Sequence, residues 1–311
     1  MGNLSEMLES LIRGNPDRLN AYLLEICREH PIENTRGQMR LYMVRLDGNN
    51  KPRVNDLCEY LATQIVNYCI PPSEIAKAKE ADQKYNTTEN VIKLQRKARR
   101  LFSDIKNTGE GGELLLALIT QSHLNMPQLL CKMVLKTNAK MHVHGCDGLF
   151  GKYDESTDKF FLYWGESKLY SDINSGINEC FNSIKELLIP EGTSGTYRER
   201  DLELFRDNLD FDNSALEEII VRFLDPDNEE YLKLEYRAVC LVGFNEDSYP
   251  TDMSSVEHAV KGIIESKISE FSSMISKKIC RETPLDQFII DVILLPFPDV
   301  QTFRDALLER L

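Results

Sequence analysis

Apolar positions in this chain repeat with two periods, near 3.6 and near 2, and the change of period along the sequence marks its elements. Residues 1 to about 35 have helical spacing interrupted at Pro16 and Pro31, which predicts a broken amphipathic helix. A short strand is expected from Met39 to Leu46, then a turn at Asp47-Gly48-Asn49-Asn50 and a helix from Val54 to about Tyr68, ended by Pro71-Pro72. Helical spacing resumes from Ser73 and again from Thr88 to Ile105. Beyond Gly109, the positions Leu114, Leu115, Leu118 and Ile119 form the core stripe of a further helix. Asn125 and Pro127 are the residue types of a helix start and predict another helix to about Thr137. Ile173, Ile177, Phe181, Ile184 and Leu188 again keep helical spacing, and a long helix is expected from Val256 to Ile279. The runs Leu234 to Phe244 and Phe288 to Leu295 read as strands.

The strongest period-two signal lies between His142 and Tyr170, where two aromatic and β-branched runs flank the polar cluster Asp154-Glu155-Ser156-Thr157-Asp158. That composition predicts a hairpin. With the turn centred between Ser156 and Thr157, Gly151 pairs with Leu162, and the register extrapolates to Asp147 opposite Glu166. Like charges on directly opposed positions repel. Along the second strand Phe160, Leu162, Trp164, Glu166 and Lys168 share one face, so two charges continue a row that begins as core. Buried charges are costly unless paired or bound to a metal. A divalent cation relieves the repulsion, because Mg²⁺ is commonly held by one or two carboxylates plus waters and phosphate oxygens. Asp147 and Glu166 are therefore the expected primary metal ligands, with Glu113, at the start of its helix, completing the acidic cluster. Lys168 is placed to orient or help deprotonate an attacking water and to offset charge on a phosphate. Mg²⁺ or Mn²⁺ is the expected cofactor, and Glu113, Asp147, Glu166 and Lys168 are the candidate catalytic residues.

The helix, hairpin, helix, strand order suits an α/β sandwich with a mixed central sheet flanked by helices. Glu113, Asp147 and Glu166-Ser167-Lys168 in that order resemble the PD-(D/E)xK restriction-endonuclease-like superfamily, with Gly145-Cys146-Asp147-Gly148 where the superfamily name has Pro-Asp. More narrowly, the segments GEGGELLLALI, HGCDGLFG, YWGESKLY and FIIDVILLPFPD, supported upstream by KPRVNDLCEYLATQIVNYCIP, resemble the HamA family of the bacterial Hachiman anti-phage defence system. That resemblance implies a DNA-cleaving effector controlled by a partner helicase, HamB, with catalytic roles on the four residues named above. A catalytically silent nuclease-like subunit that binds and restrains the helicase is the alternative. On this reading residues 1–106 are a largely helical accessory region and residues 107–311 the nuclease-like domain.

Composition narrows the picture further. At 311 residues and 42% hydrophobic, the chain can bury a substantial core. No apolar run approaches the roughly 18 residues needed to span a bilayer, and the start MGNLSEML lacks a charged segment followed by an apolar one. The eight cysteines show no CxxC pair, as expected of reduced thiols in a cytoplasmic protein. A phosphate-binding GxxxxGK[ST] loop and a nucleophile elbow are both missing from the sequence. His142 and His144 share a strand face near Asp147 and are read as packing or phosphate contacts rather than ligands.

The net charge of −13 argues against a broad basic nucleic-acid face, but the charge is uneven. Lys93 to Lys106 holds six basic residues and one acid, whereas Glu191 to Glu235 holds fourteen acids and five bases. The basic run is suited to guide a phosphate backbone, and Lys132, Lys136 and Lys140 repeat every four residues on what would be one helical face. The acidic stretch would repel DNA or dock on a basic partner.

Overall fold

The computed structural model describes residues 3–103, 109–131, 133, 145–189, 196–250 and 255–311. The end of the expected helix at residues 104 and 105, Lys106, residues 134–137 of the helix expected to Thr137, His142, His144, Lys132, Lys136 and Lys140 lie outside these residues. The fold is α/β, a restriction-endonuclease-like core with helices on a mixed seven-stranded sheet of order β1-β2-β7-β6-β5-β4-β3.

The chain opens with short helices α1 (Leu4–Glu9) and α2 (Pro16–Leu19), then β1 (Leu23–Pro31) and β2 (Gln38–Val44). The broken helix expected over residues 1–35 is therefore corrected in its second half. Leu23, Leu24 and Cys27 lie against Val44, Met43 and Leu41 in an antiparallel pair with bulges, so long-range pairing overrides a pattern compatible with a helix. Helices α3 (Val54–Cys69), α4 (Pro72–Tyr85) and α5 (Glu89–Ser103) follow as expected. The second half runs α6 (Glu110–His123), β3 (Gln128–Cys131), β4 (Gly148–Asp154), β5 (Lys159–Leu169) and α7 (Ile173–Leu188). It continues through α8 (Tyr197–Asp207), α9 (Ser214–Leu224), β6 (Leu234–Asn245), α10 (Glu257–Ser266), α11 (Ile268–Arg281), β7 (Ile290–Phe297) and α12 (Val300–Leu308).

Two more expectations are corrected. The helix expected from Asn125 starts as β3, because Asn125 adopts φ 54° just after α6 rather than the extended conformation of a helix N-cap. Gln128, Leu130 and Cys131 then pair with Phe150, Leu149 and Gly148, continuing the sheet beyond β4. The single helix expected from Val256 to Ile279 is two, divided at Lys267, whose ammonium reaches both Glu246 oxygens at 2.7 and 2.8 Å.

The hairpin has the expected register as far as Gly148, but the extrapolated Asp147–Glu166 pair does not form, because the Asp147 amide donates to the Gly165 carbonyl instead. Gly148 pairs with Gly165, Gly151 with Leu162 and Asp154 with Lys159. Its turn is closed by Asp154, whose carboxylate accepts the Ser156 amide and hydroxyl and the Thr157 hydroxyl at 2.7 to 3.0 Å. On its other side β5 pairs in parallel with β6, and β6 with β7, giving Glu166–Cys240 and Lys168–Val242 neighbours. The sheet thus switches from parallel to antiparallel at β5, with Glu166 and Lys168 near its carboxyl end, where open α/β sheets place their ligands. The central strands β6 and β7 are buried on both faces and read as near-continuous apolar runs. β2 joins β7 in parallel, so strands from both halves of the chain belong to one sheet.

Candidate active site

Glycines let the helix bearing Glu113 approach the sheet. A Cβ on Gly111 would lie 2.9 Å from Leu307 of α12, and one on Gly112 would lie 3.1 Å from the Ser167 hydroxyl of β5. The Gly109–Glu113 segment is thus a close-packed helix start, with Glu110 and Glu113 both buried in its first turn. α6 covers the Ser167 face of β5. α7 covers the opposite face, where its Gly176 abuts Val242, the neighbour of Lys168.

Asp147 stands one residue before β4. Its amide donates to the Gly165 carbonyl at 2.9 Å, and one carboxylate oxygen accepts both the Ser167 amide and the Ser167 hydroxyl at 2.8 Å. The regular ladder therefore ends at Gly148–Gly165, and beyond it the Asp147 side chain, rather than its backbone, takes the Ser167 amide. On the other face Lys168 donates to Glu166 at 2.6 Å. Glu113, Asp147 and Glu166 are each exposed by 7% or less, so their charges depend on these internal partners.

Two groups at the candidate site have pKa values displaced upward. Burial works against the Lys168 ammonium, but Glu166 and then Asp147 favour it more strongly, and the Lys168 pKa rises above the ordinary lysine value. Tyr68, at the end of α3, donates its hydroxyl to Glu113 at 3.4 Å. Burial drives the Tyr68 pKa far up, with Cys131, Glu113 and Asp147 adding to it, so the phenol remains a donor.

The donors here are hard carboxylate oxygens, the chemistry that suits Mg²⁺ or Mn²⁺. Among the described residues, no group of three or more His, Cys, Asp or Glu side chains is gathered at metal-holding range. Asp147 and Glu166, the two ligands expected from the hairpin register, are instead engaged separately, by Ser167 and by Lys168 on the two faces of β5, and each offers the carboxylate oxygens that Mg²⁺ takes.

Comparison with known families decides the relationship. The HamA family matches residues 20–311. The chain belongs to the HamA family. Membership associates it with the Hachiman defence system. No curated protein matches it.

In this HamA-family chain the fold brings three further side chains to the site. Tyr68 lies in the part read as an accessory region, and only the packing of α3 against α6 reveals it. Ser167 sat unremarked between Glu166 and Lys168. Asp201 belongs to the acidic stretch read as a repelling or docking surface, yet it is buried on α8 and accepts the Cys146 amide at 3.1 Å. A Cβ on Gly145 would fall 1.9 Å from that carboxylate, so any side chain there would have to displace Asp201 from the turn that precedes Asp147. Its signal in the sequence was faint: an acid in a helix beginning with the capping box Thr196-x-x-Glu199.

No helix among the described residues is long and apolar enough to cross a membrane.

Proposed function

We propose that this HamA-family chain is a metal-dependent DNA nuclease, the effector of its defence system, under the control of a partner helicase. The observation that carries the reading is the set of buried acids and a lysine around the carboxyl end of β5: Asp147 held by Ser167, Glu166 held by Lys168 on the other face, and Glu113 bonded by Tyr68. Asp147 and Glu166 would hold Mg²⁺ or Mn²⁺, with Glu113 as the nearby third acid. When bound, the ion supplies an activated water and neutralises phosphate charge. Lys168, held protonated, is suited to orient that water and offset negative charge on the phosphate under attack. Ser167 keeps the Asp147 carboxylate aimed, Asp201 holds the turn behind it, and the Tyr68 phenol orients Glu113. Burial of the acids raises the strength of each such interaction by lowering the local dielectric.

The decisive assay is digestion of supercoiled plasmid with Mg²⁺ or Mn²⁺ by the purified chain and by its complex with the helicase subunit, using EDTA and Lys168→Ala as controls. Cleavage that survives EDTA or the Lys168→Ala substitution contradicts the reading.

One observation favours a second reading, a catalytically silent subunit that binds and restrains a helicase. Glu166 is engaged by Lys168 at 2.6 Å and Asp147 by Ser167 at 2.8 Å, so both carboxylates already have internal partners. On that reading no divalent ion elicits cleavage, and the helicase complex forms equally well with Glu166→Gln.

A further inference from the structure

Helix α5 buries only a narrow stripe, Leu94, Ala98 and Phe102, and exposes Lys93, Arg96, Lys97 and Arg100 on the opposite side. Positions spaced i, i+3, i+4 and i+7 lie on one helical face, and seven residues at 1.5 Å rise extend this row over roughly 10 Å. In a chain of net charge −13 such a row is a strong local reversal of sign. Lys97 also pairs with Glu74 of α4 at 2.7 Å, which fixes α5 against its neighbour.

The row is mechanically tied to the candidate site. The Phe102 ring, one turn past Ala98 on the buried side, packs 6.1 Å from the Tyr68 ring, and Tyr68 donates to Glu113 at 3.4 Å. The buried side of α5 is thereby packed onto the residue that contacts Glu113.

We propose that this face of α5 binds the phosphate backbone of DNA and presents the strand to the Asp147–Glu166 centre. The purpose of the contact rests on the nuclease reading, but its existence is measured independently of cleavage. A linear row of exposed cations complements a linear polyanion, and backbone contacts of this kind supply most sequence-independent affinity.

The test uses the full chain with Lys93→Gln, Arg96→Gln and Arg100→Gln combined, leaving Lys97 to hold α4. Binding to a fluorescent 30-base-pair duplex is measured by anisotropy in EDTA across a salt series. The charge-preserving set Lys93→Arg, Arg96→Lys and Arg100→Lys is run beside it, with melting curves as a folding check. Losing about three phosphate contacts should lower the slope of log K against log salt by about 2 to 3 and weaken binding at low salt at least tenfold, while the charge-preserving set binds as wild type. Unchanged affinity and slope, no DNA binding by the wild type at low salt, or loss of helicase association with DNA binding intact would each overturn the proposal. DNA binding that depends on these cations in a chain that never cleaves would sustain this inference and sink the nuclease reading instead.

Discussion

A single carboxylate oxygen of Asp147 accepts two hydrogen bonds from Ser167, one from its amide and one from its hydroxyl, both at 2.8 Å. The backbone bond would persist in almost any residue at position 167, whereas the hydroxyl bond is specific to the side chain. Ser167→Ala is therefore expected to leave the fold intact while loosening Asp147. Partners of this kind typically change metal affinity or activity about 10- to 100-fold. Calorimetric titration of Mn²⁺ and plasmid cleavage rates, compared with melting curves, check the expectation; metal affinity and rate equal to wild type would refute it.

Tyr68→Phe removes the donor to Glu113 and keeps the ring against Phe102. The expected loss of stability is about 1 kcal/mol, the scale of one hydrogen bond, with a larger proportional loss of cleavage. Tyr68→Ala should instead cost about 3 to 5 kcal/mol, as for other large buried aromatics. Urea unfolding of both variants separates the phenol from the ring.

Gly145→Ala forces a methyl onto Asp201, which lies 1.9 Å from the ideal Cβ position. Strain of about 1 to 3 kcal/mol is expected, together with loss of cleavage as the turn before β4 moves. The double variant Gly145→Ala with Asp201→Ala should regain much of the stability but not the activity, since the Cys146 amide then loses its acceptor. A double-mutant cycle in melting temperature reads the coupling.

Lys168→Ala leaves the buried Glu166 without its 2.6 Å partner. Cleavage should fall by at least 10²-fold, the usual scale for a lost charge-stabilising group, with DNA binding in EDTA unchanged. A rate within a few fold of wild type in a plasmid assay would remove Lys168 from the mechanism.

A pH effect is expected far from the site. Burial raises the Glu246 pKa, but its bonds to Lys267 and Ser248 outweigh burial and hold it below the ordinary carboxylate value. A depressed folded pKa gives stability that is present above the unfolded value of about 4.3 and is lost as pH falls through the folded one. Lys267→Met should therefore destabilise the chain most near neutrality, and the gap to wild type should close below about pH 4. Melting temperatures of both proteins from pH 7 to pH 3.5 report this directly.

Part of the candidate site was legible in the sequence because strand geometry is arithmetic. A polar turn fixes the hairpin register, and the observed Gly148–Gly165 and Gly151–Leu162 pairs follow from it. Glu166 and Lys168 then share a face by the period of two, and their ion pair is a consequence. The helices α3 and α7 were equally plain, since each carries an apolar stripe ended by prolines or opened by a capping Asp172.

Local pattern failed where a partner distant in sequence made the choice. The apolar residues of β1 and β3 fit either element, and pairing with β2 and β4 decided for strands. Lys267 ends one helix and opens the next, where it reaches buried Glu246. By itself the sequence determined that Glu166 and Lys168 share one face near the end of β5, because a strand obeys a fixed repeat. Only the tertiary structure decided that Ser167, Asp201 and Tyr68 hold Asp147, the turn before it and Glu113 in place, because packing between segments tens of residues apart leaves no periodic trace in the chain.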